Sequence, residues 1–170
     1  MRDSLRVATP DDAASLAGVH VASWRAAYAG IVPEKVLEER DVAYRTVRLR
    51  TFLASAEAET YIAEQERRIA GFMTIGPSRD RDDDASRTGE IWGIYLHPSS
   101  WRMGIGTTLC RAEEEILCER GLQACTLWVL EKNDVAQAFY RAMGFRPDGA
   151  TKGLTIGVDL TAIRYRKRIA

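Results

Sequence analysis

The middle of the chain alternates two apolar strand patterns with two helical patterns, and this order constrains the fold more than any other feature. Residues 91–96 are apolar on both alternating faces, as in a strand buried on both sides of a sheet, and residues 125–130 repeat the pattern. Amphipathic helices are predicted after each strand, from Gly104 to about Arg120 and from Asp134 to Met143. A sheet covered by helices is therefore expected.

The flanking sequence adds five strands and two helical regions to this centre. The strands are predicted at residues 5–8, 60–64, 68–75, 155–160 and 163–168. A helix is expected to begin at Thr9-Pro10 and run to about Tyr28, and another from about Glu34 to Ala54 with a break near Asp41. No repeat or linker divides the chain, so the sequence predicts one α/β domain, residues 1–170, with a mixed sheet of about seven strands.

Charge and composition exclude several classes of function. Lys and Arg (24) balance Asp and Glu (24), so no overall field favours nucleic acid or an anionic membrane as a partner. No apolar run is long enough to span a bilayer, and the first six residues lack the apolar stretch of a secretory signal. Two isolated histidines argue against a metal site. The three cysteines, Cys110, Cys118 and Cys125, indicate reduced core thiols in a cytoplasmic protein.

A glycine pair lies at the junction between the first central strand and its helix. Gly104 and Gly106 allow the backbone to approach an anion, and the amides at a helix N-terminus bind phosphate. A turn into the helix with no ligand explains the pair equally well. No Gly-Lys-Ser/Thr follows, which excludes a P-loop, and position 109 is leucine where a dinucleotide fingerprint needs glycine.

Residues 90–107 resemble the coenzyme A motif of the GNAT superfamily of N-acetyltransferases, a strand followed by Q/R-x-x-G-x-G/A. The resemblance implies that backbone amides of the loop hold the pyrophosphate of CoA, and that the strand pairs with the pantetheine arm. The implied cofactor-binding residues are Ile94, Tyr95, Leu96, Arg102, Met103, Gly104, Ile105, Gly106 and Thr107. Trp101 departs from the motif, which has Gln or Arg at that position, although Arg102 can supply the charge.

Residues 133–145 are similar to the second signature of the same family, N-x-x-A-x-x-F-Y-x-x-x-G-F. By this resemblance Tyr140 protonates the departing CoA thiolate, because a phenol of pKa about 10 donates a proton while staying neutral at physiological pH. Asn133 is expected to bind the pantetheine arm, and a helix cap is the alternative. Phe139 and Met143 are expected only to pack in the core.

An alkyl ammonium has to lose a proton before it attacks a thioester, and a carboxylate is the usual base. Glu90 lies at the register where some family members carry their catalytic glutamate. An exposed acid at a strand start that pairs with a neighbouring arginine is the alternative, and Glu131 is a second candidate for the base. Water serves as the base in some relatives.

The acceptor side is expected between the first strand and the second helical region. Trp24 and Tyr28 are i, i+4 neighbours that either form one wall of an acceptor pocket or pack under the sheet. The acidic residues 80–84 are expected in a solvated loop, although they could attract a cationic amine. The basic residues 164–168 are expected on a solvent-facing edge strand, with nucleic acid or CoA phosphate as alternatives.

The family resemblance implies the GNAT sandwich, mostly antiparallel, with helices on both faces and the fourth and fifth strands splayed apart. It implies an acetyl-CoA-dependent N-acetyltransferase without a metal, acting on a primary amine, and we expect a small-molecule acceptor. A protein N-terminus or lysine as acceptor, a longer acyl group, a non-catalytic CoA-binding module and a homodimer are left open.

Overall fold

Seven strands form one sheet in the order β1-β2-β3-β4-β5-β7-β6 in the computed structural model, which describes residues 5–169. Residues 1–4, part of the segment judged to lack a secretory signal, and residue 170 lie outside the described range. All neighbouring strands are antiparallel except β4 and β5, which are parallel. The strands are β1 (Leu5–Val7), β2 (Glu59–Gln65), β3 (Arg68–Pro77), β4 (Thr88–Leu96), β5 (Ala124–Leu130), β6 (Arg146–Thr155) and β7 (Asp159–Arg168).

Within residues 5–169, five α-helices cover the two faces of this sheet. They are α1 (Ala13–Ala27), α2 (Glu34–Glu38), α3 (Val42–Ala54), α4 (Ile105–Glu119) and α5 (Asp134–Ala142). The predicted break near Asp41 is confirmed, because the Asp41 carboxylate caps α3 by accepting from the amides of Ala43 and Tyr44. The predicted fold class, a mixed and mostly antiparallel sheet between helices, is confirmed as well.

The two faces of the sheet have separate hydrophobic cores. Leu109, Ile116 and Leu117 of α4 are buried against one face, and burial stabilises each such side chain by about 2 kcal/mol. On the other face, Leu16 of α1 and Leu49 of α3 pack against the sheet. Helix α4 therefore lies on the opposite face from α1 and α3.

Of the two predicted C-terminal strands, that at residues 163–168 lies within β7 and is confirmed, whereas that at residues 155–160 was wrong. Residues 156–158 form the turn of the β6–β7 hairpin, within the segment expected to be a strand, and the preceding strand β6 was missed. Strand β6 is mostly exposed and contains Pro147, Gly149 and Gly153, which read as turn residues in the sequence. Strand β7 lies between β5 and β6, so the prediction of an edge strand was wrong too.

The cysteines are only partly as predicted. Cys110 and Cys125 are buried free thiols, and burial raises the pKa of Cys110 to about 12. Cys118 forms no disulfide either, but it is exposed on α4, so its assignment to the core was wrong.

Candidate active site

The parallel strands β4 and β5 pair over only part of their length. Their register runs from Thr88 opposite Ala124 to Ile91 opposite Leu127 and ends there. Strand β4 continues to Leu96 along β3, and β5 continues to Leu130 along β7. A wedge therefore opens between residues 92–96 and 128–130, where the sequence predicted that the strands splay apart.

A β-bulge in β4 lies where this pairing ends. Gly93 is opposite Thr74 and Ile91 is opposite Ile75, so Trp92 is the extra residue. A bulge bends a strand and changes the direction of the following side chains. As a consequence Ile91 and Ile94, three residues apart, both contact the core on the α4 side, and Tyr95 packs on the α1 side.

The loop between β4 and α4 has the backbone geometry of an anion site. Arg102 and Gly104 have left-handed φ angles of 64° and 82°. The first helical hydrogen bond runs from the Thr108 amide to the Gly104 carbonyl (3.0 Å). The amides of residues 105–107 therefore have no partner within the helix, and the positive end of the helix dipole lies at the same place.

Trp101, at the position that departs from the family motif, ties this loop to the end of β4. Its indole Nε1 donates to the carbonyl oxygen of Leu96 at 3.0 Å. The next two residues, Arg102 and Met103, are exposed. The tryptophan thus fixes the loop relative to the strand and leaves the charge of Arg102 at the surface.

Gly106 lies where α4, α5 and β4 meet. A Cβ atom at this position would lie 3.1 Å from Cζ of Phe139 and 3.3 Å from Cδ1 of Leu96, which is closer than packed carbons prefer. Phe139 thus fills a packing position, as the sequence predicted, and Met143 packs against the same core as α4. The glycine allows the helix that carries Tyr140 to approach the loop.

Tyr140 is partly buried on α5, beside Phe139 and Phe145 at ring-centroid distances of 5.3 and 6.0 Å. Burial is the main cause that raises its pKa well above the usual value, and Cys110, Tyr28 and Tyr95 add to the shift. The phenol is therefore protonated at any physiological pH, as a proton donor has to be.

Asn133 caps α5 in the structure. Its side-chain oxygen accepts from the amide of Ala136 at 3.1 Å, and the residue is buried. Asn133 therefore acts as a helix cap, the alternative that the sequence left open. Its side-chain NH₂ group still has two protons to donate to another acceptor.

Glu90 is buried, whereas the alternative to a catalytic role was an exposed acid. It lies in the part of β4 that pairs with β5. Its carboxylate accepts from the backbone amide of Arg79 at 2.9 Å and forms an ion pair with the Arg79 guanidinium. That guanidinium also lies 4.2 Å from the ring centroid of Trp92. Glu131, the second candidate for the base, is exposed just after β5.

Trp24 and Tyr28 contact each other in an edge-on arrangement, with ring centroids 4.9 Å apart. Trp24 is buried in a core formed with Leu130 and Leu160, and the Arg40 guanidinium lies 4.0 Å from its ring centroid. Burial and the neighbouring Tyr95 raise the pKa of Tyr28 to about 12. Both residues thus pack under the sheet.

The acidic loop and the basic strand β7 bind each other. Arg164 forms ion pairs with Asp80, Asp82 and Asp148, at 3.2, 2.8 and 2.7 Å. Arg166 pairs with Asp83 at 2.8 Å. Most residues of this loop are exposed, as expected of a solvated loop, but three of its carboxylates also neutralise arginines of β7, which the sequence did not predict.

Sequence reasoning missed a cavity of about 220 Å³ on the α3 side of the sheet. Gly93 and Tyr95 of the diverging part of β4 contribute to it, together with Arg45, Arg48 and Phe52 of α3 and Arg79 and Trp92 beside Glu90. A signal was present in α3, because Arg45, Arg48, Leu49 and Phe52 have the i, i+3, i+4, i+7 spacing of one helix face. Arginines on an otherwise apolar stripe are a sign of a polar cavity below it.

A second and larger cavity, about 770 Å³, lies at the turn formed by residues 30–33. Arg25, Leu37 and Val158 also line it. Its lining includes no residue of β4, β5, α4 or α5, so this cavity is separate from the wedge.

The model of the Acetyltransferase (GNAT) family matches residues 22–145. The chain belongs to the GNAT acetyltransferase family. The N-acetyltransferase YuaI of Bacillus subtilis is 29% identical over 139 residues, which is 82% of this chain and 78% of YuaI. The spermidine N(1)-acetyltransferase of Thermoplasma acidophilum is 26% identical over 152 residues, 86% of this chain and 89% of that protein.

A solved GNAT structure has the same fold. The PaiA N-acetyltransferase of Thermoplasma acidophilum, crystallised with coenzyme A, matches with a TM-score of 0.70 and 24% identity over 96% of this chain and 97% of that one. The predicted family and enzyme class are confirmed: the chain is a GNAT N-acetyltransferase, and acetyl-CoA is its cosubstrate.

Candidate metal-binding groups and membrane-spanning helices are both absent from the described residues. Residues 5–169 contain no group of three or more His, Cys, Asp or Glu side chains placed to hold a metal ion. No helix within the same residues is long and apolar enough to cross a membrane.

Proposed function

We propose that residues 1–170 act as one catalytic domain that transfers the acetyl group of acetyl-CoA to a primary amine of a small molecule, by direct attack on the thioester. The wedge between β4 and β5 supports this most, because it opens beside the loop before α4. The 220 Å³ cavity with its aromatic walls supports a small acceptor, since a protein tail would need a wide, open groove.

The residues of the loop fit the pyrophosphate of CoA. At Gly104 a Cβ atom would have no neighbour within 4 Å, so the backbone there is open to a ligand, and the amides of residues 105–107 have no partner in the helix. Arg102, Met103 and Thr107 complete the loop around the phosphates. Bound acetyl-CoA supplies an acetyl group activated as a thioester.

The diverging end of β4 fits an extended ligand. Residues 94–96 pair with β3 on one side and have no strand partner on the side of β5. We assign the backbone groups of Ile94, Tyr95 and Leu96 to the pantetheine arm, with an amide near Leu96 donating to the thioester carbonyl. The side-chain NH₂ group of Asn133 binds the same arm.

Acetyl transfer forms an N–C bond and breaks a C–S bond, so a proton leaves the amine and another reaches the sulfur. We assign the second proton to the Tyr140 hydroxyl, whose burial keeps it protonated. We assign to Glu90 the removal of the proton from the amine. A water molecule relays this proton, because Arg79 already occupies both carboxylate oxygens of Glu90. Tyr28 and Trp24 support the acceptor side from below.

The substitution Tyr140→Phe tests the assignment of the acid. It keeps the ring and its packing but removes the hydroxyl proton, so kcat should fall by about 10²–10⁴-fold. The melting temperature and the affinity for acetyl-CoA should change little. Release of the CoA thiol across a panel of amines measures the turnover.

Tyr165→Phe is the matched control for this substitution. The Tyr165 hydroxyl donates to Gln137 at 3.0 Å in the core, so its loss should cost about 1 kcal/mol of stability and leave kcat nearly unchanged. If Tyr140→Phe behaves like this control, with chemistry shown to limit the rate, Tyr140 is a structural residue and another group protonates the sulfur.

A further inference from the structure

Two arginines of α3 lie on the helix face that packs against the sheet. Arg45 and Arg48 line the 220 Å³ cavity, and Leu49, next to Arg48, is buried in the core beneath α1 and α3. Long basic side chains usually extend to solvent from the opposite face of such a helix. Arg45 is thus partly buried at a cost in desolvation, whereas Arg48 is exposed at the edge of the same cavity.

Neither arginine has an acidic partner within residues 5–169. The Nε atom of Arg45 is buried and makes no hydrogen bond, and Arg48 donates only to the hydroxyl of Tyr44, at 3.2 Å. Burial and the charges of Arg40 and Arg48 lower the pKa of Arg45. A partly buried cation without a counter-ion, as Arg45 is, is unusual unless a ligand provides the opposite charge.

The third arginine of the cavity does have a partner inside the protein. Arg79 is bound by Glu90, so three positive charges face one negative charge, a net charge of +2 on the cavity walls. The acidic residues of the neighbouring loop do not reduce this charge, because Asp80, Asp82 and Asp83 are paired with Arg164 and Arg166 of β7.

We propose that the acceptor is a small amine that also carries a carboxylate, of the size of an amino acid, and that Arg45 and Arg48 bind this carboxylate. The proposal rests on the proposed function and names its substrate class. Arginine suits the role because its planar fork binds a carboxylate through two parallel hydrogen bonds.

The position of the cavity gives the acceptor an orientation. Its floor includes Gly93 and Tyr95 from the diverging part of β4, and Arg79 connects it to Glu90. A carboxylate bound at α3 directs the other end of the molecule toward the wedge and Glu90. The aromatic rings of Phe52 and Trp92, 5.9 Å apart, provide an apolar wall for the remaining part of the acceptor.

The same charges disfavour a polycation such as spermidine, the substrate in the name of one relative. A polyamine is bound by carboxylates, whereas no acidic residue among residues 5–169 lines the cavity, and Glu90 beside it is already paired with Arg79. This chain should therefore differ from that relative in its acceptor.

Matched pairs of acceptors test the proposal. Each pair consists of an amino acid and the same amine without its carboxylate, for example leucine and isoamylamine, or phenylalanine and phenethylamine, with spermidine as a polycation. Turnover is measured as release of the CoA thiol. We expect kcat/KM to be at least about tenfold higher for the carboxylate member of the preferred pair, one good charge-assisted contact being worth that factor or more.

Arg45→Gln and Arg50→Gln form a matched pair of variants. Both remove one charge from α3, but Arg50 is exposed and does not line the cavity. Arg45→Gln should raise the KM of the carboxylate acceptor about 10–100-fold and leave the KM of acetyl-CoA and of the decarboxylated amine unchanged. Arg50→Gln should leave all three unchanged.

Binding without turnover supplies a second readout. N-acetylated amino acids, the products expected here, should raise the melting temperature of the parent and of Arg50→Gln more than that of Arg45→Gln. Equal turnover within the pairs, preference for spermidine, weaker acetyl-CoA binding in Arg45→Gln, or no stabilisation that depends on Arg45 would each overturn the proposal.

Failure of the proposed function gives a different result. At a concentration of a hundred times its Kd, acetyl-CoA should stabilise the fold by roughly RT ln 100. No shift of the melting temperature with acetyl-CoA would overturn the assigned cosubstrate site. A normal shift together with any of the outcomes above would overturn the substrate class alone.

Discussion

Two regions of the molecule contain partly or fully buried arginines, and they differ in what surrounds the charge. Arg164 of β7 contacts three carboxylates, and these hydrogen bonds raise its pKa. Arg45 of α3 contacts none within residues 5–169, and burial lowers its pKa. The first arginine connects the acidic loop to the sheet, whereas the second is available to a ligand. An arginine in a site is thus recognised by its missing partner rather than by its burial.

The largest effect is expected from removing the paired arginine. Arg164→Met leaves the mostly buried carboxylate of Asp80 without its arginine and leaves Asp148 with Arg166 alone, so it should cost about 3 kcal/mol of unfolding free energy, the range for breaking a buried ion pair. Urea unfolding measures the loss. The control is Arg168→Met, an exposed residue of the same strand, which should change stability by less than about 0.5 kcal/mol.

If Arg164→Met lowers the free energy of unfolding no more than Arg168→Met does, the contrast between the paired and the unpaired arginine fails. It would mean that the acidic loop is held by other contacts, and that the three ion pairs contribute little net stability, as exposed pairs do. The acidic residues would then be free to attract a cationic acceptor, against the substrate class proposed above.

A smaller effect is expected from the arginine without a partner. Arg45→Met removes a desolvated charge and leaves no carboxylate unpaired, so the free energy of unfolding should stay within about 1 kcal/mol of the parent or rise. The same urea titration measures it. A loss as large as that of Arg164→Met would mean that Arg45 is stabilised by the protein itself and is not reserved for a ligand.

The sequence predicted the elements that depend on local pattern. The apolar strands, the glycines before α4 and the stripe of α5 each carry a periodic or turn signal, and with them the sequence predicted Gly104 just before α4 and Tyr140 on α5. The position of Trp92 in a bulge was not predictable, because a bulge depends on the register with β3.

The charges were not predictable from the sequence because their partners are distant along the chain. Arg164 and Asp80 are separated by 84 residues, and the sequence alone suggested an exposed strand and a solvated loop for them. The arginines of α3 were missed although their spacing placed them on the apolar stripe with Leu49. A charge on a buried stripe is a local signal, whereas the presence or absence of its counter-ion is a property of the fold.

The smallest effect concerns the pKa of His20 of α1, which responds to the positive charges of the neighbouring arginines. Its ring lies 4.3 Å from the ring of Tyr95, and its buried Nδ1 makes no hydrogen bond. Burial first, and then the charges of Arg45 and Arg40, lower its pKa to about 3. Because the unfolded chain, with a pKa near 6.5, binds more protons between these values, the contribution of His20 to stability is complete above about pH 6.5 and is lost progressively as the pH falls toward 3.

Nuclear magnetic resonance titration of the two histidines measures this effect, with His20→Gln for assignment. In the parent the His20 imidazole should stay neutral at pH 5. Arg45→Met should raise its pKa by less than burial lowers it, because a charge is the smaller cause. A bound carboxylate acceptor should raise the same pKa in the parent and have little effect in Arg45→Met. Titration of His20 near pH 6.5 in the parent would mean that the arginines do not set the field of the cavity, and the distinction between the two regions would then rest on the ion pairs of β7 alone.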